Sequence, residues 1–189
     1  MPLSPPAERE VLHRRDIALR GYQRADGLFD IEAELADTKS YAFENGHRGT
    51  IAPGEKLHGM SLRLTVDQDL VVVACEASSD FTPYAMCPEA APNFARLAGL
   101  RIGPGFNRAV AERVGGIAGC THLRELLGQM ATVAFQTLYP LRARREREAG
   151  AAQGKAAQGK PALLGTCIAY APDSPVSLAR WPWLREEAS

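Results

Sequence analysis

Neither sign of charge is in excess: 22 Lys and Arg stand against 22 Asp and Glu in 189 residues, for a formal net charge of zero. A nucleic-acid binder usually carries a clear basic excess, so that class is not expected. The sole basic cluster, RARRER at 142–147, reads as a solvated helix end. No apolar run approaches the roughly 18 residues that cross a bilayer, so no membrane span is expected. The densest run, at 70–75, has the length of a strand. The opening MPLSPPAEREVLHRR lacks the apolar region of a secretory signal, which makes the cytoplasm the expected setting. The four cysteines form no C-x-x-C pair, which removes the usual zinc-finger signature. There is also no G-x-S-x-G, P-loop, dinucleotide fingerprint or H-E-x-x-H.

What is present begins with alternation. In 17–35, Ile17, Leu19 and Gly21 alternate with Arg20 and Tyr22. Asp26-Gly27 supplies a turn pair, and Phe29, Ile31, Ala33 and Leu35 alternate with Asp30, Glu32 and Glu34. The spacing predicts a hairpin with one buried face. Residues 44–56 (ENGHRGTIAPGEK) read as a loop. A second hairpin follows. His58, Met60, Leu62, Leu64 and Val66 share a face, Asp67-Gln68-Asp69 turns the chain, and 70–77 returns. That last segment is apolar at nearly every position, which predicts a central strand with Cys75 in the core beside Val71 and Val73.

Helical spacing then takes over. Short helices are expected at 92–99 and 106–114, and a long one at 121–139, with Leu123, Leu127, Met130, Ala134 and Leu138 on one stripe. Pro140 discourages continuation, with a kinked extension through the charged run as the alternative. Strands first and helices afterwards predict an α+β fold: an antiparallel sheet of about four strands, in two hairpins, with helices packed on one face. The expected organisation is a loose segment at 1–12, an α+β domain at 13–142, a flexible linker at 143–161 containing AAQGKAAQGK, and a C-terminal segment at 162–189 packing back on the domain.

Chemistry concentrates in four residues: His58, Cys87, Cys120 and His122. Cys120 precedes the long helix in GGIAGCTHLRELL, where unpaired N–H groups and the helix dipole favour a thiolate. That makes it a candidate nucleophile or metal ligand, with Glu125 as a nearby carboxylate. His122 lies in the first turn, so Cys120 and His122 can serve one ion. Cys87 lies in a second loop that precedes a helix, between Pro83 and Pro88. His58 faces the core and needs a partner or an ion there. Cys75 and Cys167 read as core or free thiols.

The stretches GYQRADGLFDIEAEL, HGM with LRLTVDQDL, and GGIAGCTHLRELL resemble a bacterial family known as a domain of unknown function, over about 13–140. MSLRLTVDQDLVVVACEASSDFTPYAMC and GGIAGCTHLRELL also resemble the IscU-type iron–sulfur scaffolds. That resemblance implies a cluster or metal site in which Cys87 and Cys120 match two cluster cysteines and His58 stands where the third falls. Three functions follow as expectations. The first is a metal- or sulfur-handling protein with His58, Cys87, Cys120 and His122 as ligands to zinc, iron or an iron–sulfur centre. The second is a small-molecule enzyme, a lyase or hydrolase of aromatic or acyl compounds that uses a metal or a Cys120 nucleophile. The third is a binding module without chemistry. The expected partner is a metal or a small molecule, and the sequence leaves the oligomeric state open.

Overall fold

The computed structural model describes residues 3–153, 161 and 163–187. The chain divides into two compact units, Met1–Arg142 and Ala143–Ser189. The first holds an antiparallel four-stranded sheet in the order β1-β2-β5-β6, from β1 (His13–Gln23), β2 (Phe29–Lys39), β5 (Lys56–Val66) and β6 (Val72–Phe81). Helices follow it: α1 (Phe106–Val114) and α2 (Thr121–Gln153). The α+β expectation and its two hairpins hold.

Both turns form from the residues that predict them. Gly27 takes φ 85°, and its N–H reaches the Arg24 carbonyl. In the second turn, Asp67 Oδ1 accepts from the N–H groups of Asp69 and Val71. Ile31, Leu35, Leu62, Leu64 and Val66 form the buried sheet face. Leu123, Leu126, Leu127, Met130, Ala134 and Leu138 of α2 cover it, with Phe94 and Leu97 beside them. At about 25 cal/mol per Å² of apolar area, this two-layer core is the main stabilising term of the unit.

Four expectations change. Residues 44–56 are not all loop: β3 (Phe43–Asn45) pairs with β4 (Gly49–Ile51). Asn45 Oδ1 accepts from the His47 and Arg48 N–H groups and closes the turn between them. The segment at 70–77 is not central; β6 forms an edge of the sheet. Its apolar start is covered instead by 99–102, through Val72 N–H to the Leu100 carbonyl and Ile102 N–H to the Leu70 carbonyl. A register shift between Thr65 and Val66 brings Val72 inside, and leaves Val73 exposed while Cys75 stays in the core. The expected helix at 92–99 is a 3₁₀ segment, Cys87–Leu97, with Pro92 inside it.

Helix α2 also continues through Pro140 to Gln153, over the first part of the expected linker at 143–161. Pro140 removes one backbone donor, and helix on both sides tolerates the loss. Residues 154–160 of that linker lie outside the described residues. Within the second unit, α3 (Pro175–Arg180) is capped by Ser174, whose hydroxyl accepts from the Ser177 N–H. The Tyr170 and Trp181 rings lie 5.9 Å apart beside it, and α4 (Leu184–Glu187) follows. Among the described residues no helix is long and apolar enough to cross a membrane.

One contact fixes where α2 crosses the sheet. A Cβ on Gly21 would collide with the Thr137 hydroxyl. Glycine here lets the Thr137 side chain of α2 lie directly against the β1 backbone.

Candidate metal centre

The site gathers around Asp37, a carboxylate only 1% exposed at the end of β2. Its position continues the buried series Ile31, Ala33, Leu35. A β-bulge between Asp37 and Thr38 ends the regular pairing with β5 at that point. A buried charge requires compensation. Arg15 on β1 supplies it as a two-pronged pair, Nε to Oδ1 at 2.8 Å and Nη2 to Oδ2 at 2.8 Å. The remaining Arg15 nitrogen, Nη1, donates to Glu125 Oε2 on α2 at 2.9 Å. Glu125 is thereby tied to an arginine and its side chain is 56% exposed.

Three of the four histidines converge on the same carboxylate. His58 Nδ1 lies 3.0 Å from Asp37 Oδ2, His13 Nε2 lies 3.2 Å from Oδ1, and His122 Nε2 lies 3.8 Å from Oδ2. The His58 and His122 rings stack with centroids 4.0 Å apart. Burial works against the ionised form of Asp37. The Arg15 hydrogen bonds and charge outweigh it, with His58 and His13 adding, and hold the carboxyl below its ordinary range. The His58 pKa is also lowered, first by burial and then by neighbouring His122, against the opposing pull of Asp37.

The His58 shift has a sign that can be measured. A lowered folded-state pKa means the unfolded chain takes the proton first. Its contribution to stability is full above about pH 6.5 and falls as the pH drops through the folded value. The urea midpoint of metal-free protein is therefore expected to fall between pH 7.5 and 5.5, and to fall less in His58→Gln. Equal losses in both proteins would remove His58 as the cause.

The donor atoms of Asp37, His58 and His122 all lie within 4.8 Å of one another. Two ligands each about 2.0–2.2 Å from one ion sit roughly 3–3.6 Å apart. The separations of 3.0 and 3.8 Å from Asp37 Oδ2 bracket that span. Each element contributes one donor: β2, β5 and the first turn of α2. Oδ2 keeps a lone pair beyond its bond to Arg15.

Of the residues singled out from the sequence, His58 and His122 come together. Cys120 lies beside them, its Sγ 3.9 Å from His122 Nδ1, while Nε2 is the nitrogen nearer Asp37. Its carbonyl accepts the Arg124 N–H at 2.9 Å, so it is the residue that caps α2. Gly119 before it has no room for a side chain, because a Cβ there meets the Val114 carbonyl. That tight backbone seats the thiol against the imidazole. Cys87 opens the 3₁₀ segment and is not in the converging donor group, and neither is Cys120. The loop-before-helix pattern is real for Cys87, but its neighbours in space are not the histidines' carboxylate. Cys75 is buried, and burial pushes its thiol up to about 12. Cys167 is exposed and belongs to the second unit.

Asp37, His13 and Arg15 are the site residues that sequence reading missed. The signal was the face each occupies. Asp37 is the next inward position after Leu35, and His13 and Arg15 precede Ile17 and Leu19 on theirs.

The family model described as a protein of unknown function, DUF2889, matches residues 13–136. The chain belongs to this family. The span of the match runs from His13 to beyond Glu125, so the DUF2889 region contains the whole cluster. No curated protein and no solved structure matches the chain. The IscU-type likeness therefore has no counterpart among solved structures.

Proposed function

We propose that this DUF2889 protein binds one divalent transition-metal ion through Asp37, His58 and His122, and acts through it on a small molecule. The observation that carries this reading is the convergence of one carboxylate and two imidazoles from three separate elements. Two histidines with one carboxylate suit zinc or iron(II) and leave coordination positions open for a ligand. An ion so held polarises a bound oxygen or lowers the pKa of bound water. The donors are oxygen and nitrogen rather than sulfur, which favours a single ion over an iron–sulfur centre. Arg15 neutralises Asp37 while Glu125 neutralises Arg15, so the cluster accepts a cation without a local excess of positive charge. Four free thiols fit a reducing compartment such as the cytoplasm.

The test is metal content and affinity. Protein purified without chelator is expected to carry close to one zinc or iron per chain. His122→Ala is expected to weaken Zn²⁺ binding by roughly 100-fold in calorimetric titration, as loss of a ligand does at least as much harm as loss of a supporting contact. Folded wild-type protein that takes up no ion would sink the proposal.

One further arrangement supports a second reading. Cys120 Sγ, His122 and Asp37 lie in series at 3.9 and 3.8 Å, in the order thiol, imidazole, carboxylate. Such a series activates a nucleophilic thiol. Metal-free protein at neutral pH is then expected to be alkylated by iodoacetamide at Cys120 well before Cys75, whose thiol stays protonated. Equal rates at Cys120 and Cys167, the exposed thiol, would leave Cys120 an ordinary cysteine.

A further inference from the structure

Strand β1 offers a long edge. All eleven of its residues pair with β2 on one side, and among the described residues no strand pairs with the other. Both ends of β1 are exposed, while its central Ile17, Ala18 and Leu19 are half-buried. An open edge of this length is a template for another strand. The other edge, β6, has its first residues covered by 99–102.

The sequence of β1, HRRDIALRGYQ, is complementary to itself when reversed. Set two copies antiparallel about a two-fold axis at Ala18, so that the strands overlap over their full length. Asp16 then stands opposite Arg20, twice. Arg14 stands opposite Tyr22, Arg15 opposite Gly21, His13 opposite Gln23, and Ile17 opposite Leu19. No pair brings like charges together, and the two acid–base pairs flank the axis. Asp16 and Arg20 reach solvent, at 58% and 52% exposed, each in a surface ion pair of its own chain, Asp16 with Arg14 and Arg20 with Glu34, that exchanges readily for one across the axis. On the helix-covered face, Ile17 and Leu19 already pack on the core and would meet their counterparts in one apolar row.

We infer that β1 is an interface between two copies of this chain, joining their sheets into one eight-stranded sheet. The partner is a second copy because full overlap and charge matching are met by the same register. A foreign strand would have no reason to match both. The inference is independent of the metal centre, although His13 and Arg15 reach Asp37 from this strand and would be held by the added pairing.

Sedimentation velocity on the full chain tests it. Wild-type protein is expected to be a dimer at micromolar concentration. Ala18 lies on the solvent face opposite Glu34, so Ala18→Lys leaves the monomer fold intact while setting two ammonium groups face to face. It is expected to raise the dimer dissociation constant at least tenfold. Asp16→Arg is expected to do the same, and Asp16→Arg combined with Arg20→Asp to recover much of the loss. Ala18→Cys is expected to form a disulfide-linked dimer on mild oxidation that wild type, with Cys167 exposed, does not form. A monomeric wild type overturns the inference. So does a dimer that Ala18→Lys leaves unchanged, since it would be held by another surface.

Discussion

Asp37→Asn is expected to lower the stability of metal-free protein by about 3 kcal/mol, toward the lower end of what breaking a buried ion pair costs. The lower end applies because Arg15 keeps 32% of its side chain exposed and keeps Glu125 as a partner. The amide matches the carboxylate in shape but turns one acceptor into a donor that faces the Arg15 guanidinium. His58 and His13 lose their anion as well. For a chain of this size, the melting temperature is expected to fall by roughly 6–12 °C. The deficit has a definite dependence on acid. Asp37 has a depressed folded-state pKa, so its contribution is present above the unfolded value near 3.9 and is lost as the pH falls through the folded one. The gap between wild type and Asp37→Asn should hold at pH 6–8 and close in strong acid. A variant as stable as wild type at pH 7 would show that the cluster does not organise this end of the sheet.

Gly21→Val is expected to cost about 3 kcal/mol, read as a shift in the urea midpoint with little change in slope. A valine normally suits a strand, so the propensity of the residue works against this outcome. The collision decides it, because the new Cβ alone would run into Thr137 of α2. Thr137 cannot easily turn away, as its hydroxyl donates to the Val133 carbonyl at 2.8 Å. The smaller Gly21→Ala is expected to cost less, and Gly21→Ala with Thr137→Ala to recover part of that loss. Non-additivity of this kind identifies a direct contact. Strict additivity would place the cause in β1 itself.

Much of the architecture is legible in the sequence because the buried face recurs with a clean period. Phe29 to Leu35 and His58 to Val66 fix two strands and their inward faces, and Asp26-Gly27 and Asp67 fix the turns between strands. The order of the sheet is less legible. An apolar run such as 70–77 signals burial on both sides, but not whether a strand or the 99–102 segment provides it. The short β3–β4 pair is illegible for a related reason, and Pro140 leaves the end of α2 open between a stop and an extension: local rules discourage both features, and hydrogen bonds or neighbouring helix override the rules.

The candidate site is legible in half. His58 was found because a histidine on an apolar face is conspicuous, and His122 because it opens the longest helix. Asp37 sits one step beyond a tidy run of hydrophobic residues, where an aspartate reads as the end of the strand. Only the fold reveals that Arg15 and three histidines reach it. Cys87 stands outside the group of converging donors. Its place in a loop before a helix matches that of Cys120, but similar local settings carry no information about distance in the fold.

The third donor enters with the helix that closes the sheet, since His122 is the second residue of α2. A chain emerging from the ribosome therefore presents all four strands of the sheet, Asp37 and His58 included, before His122 is made. The meeting of these three side chains is thus a report that the final layer has docked against the sheet.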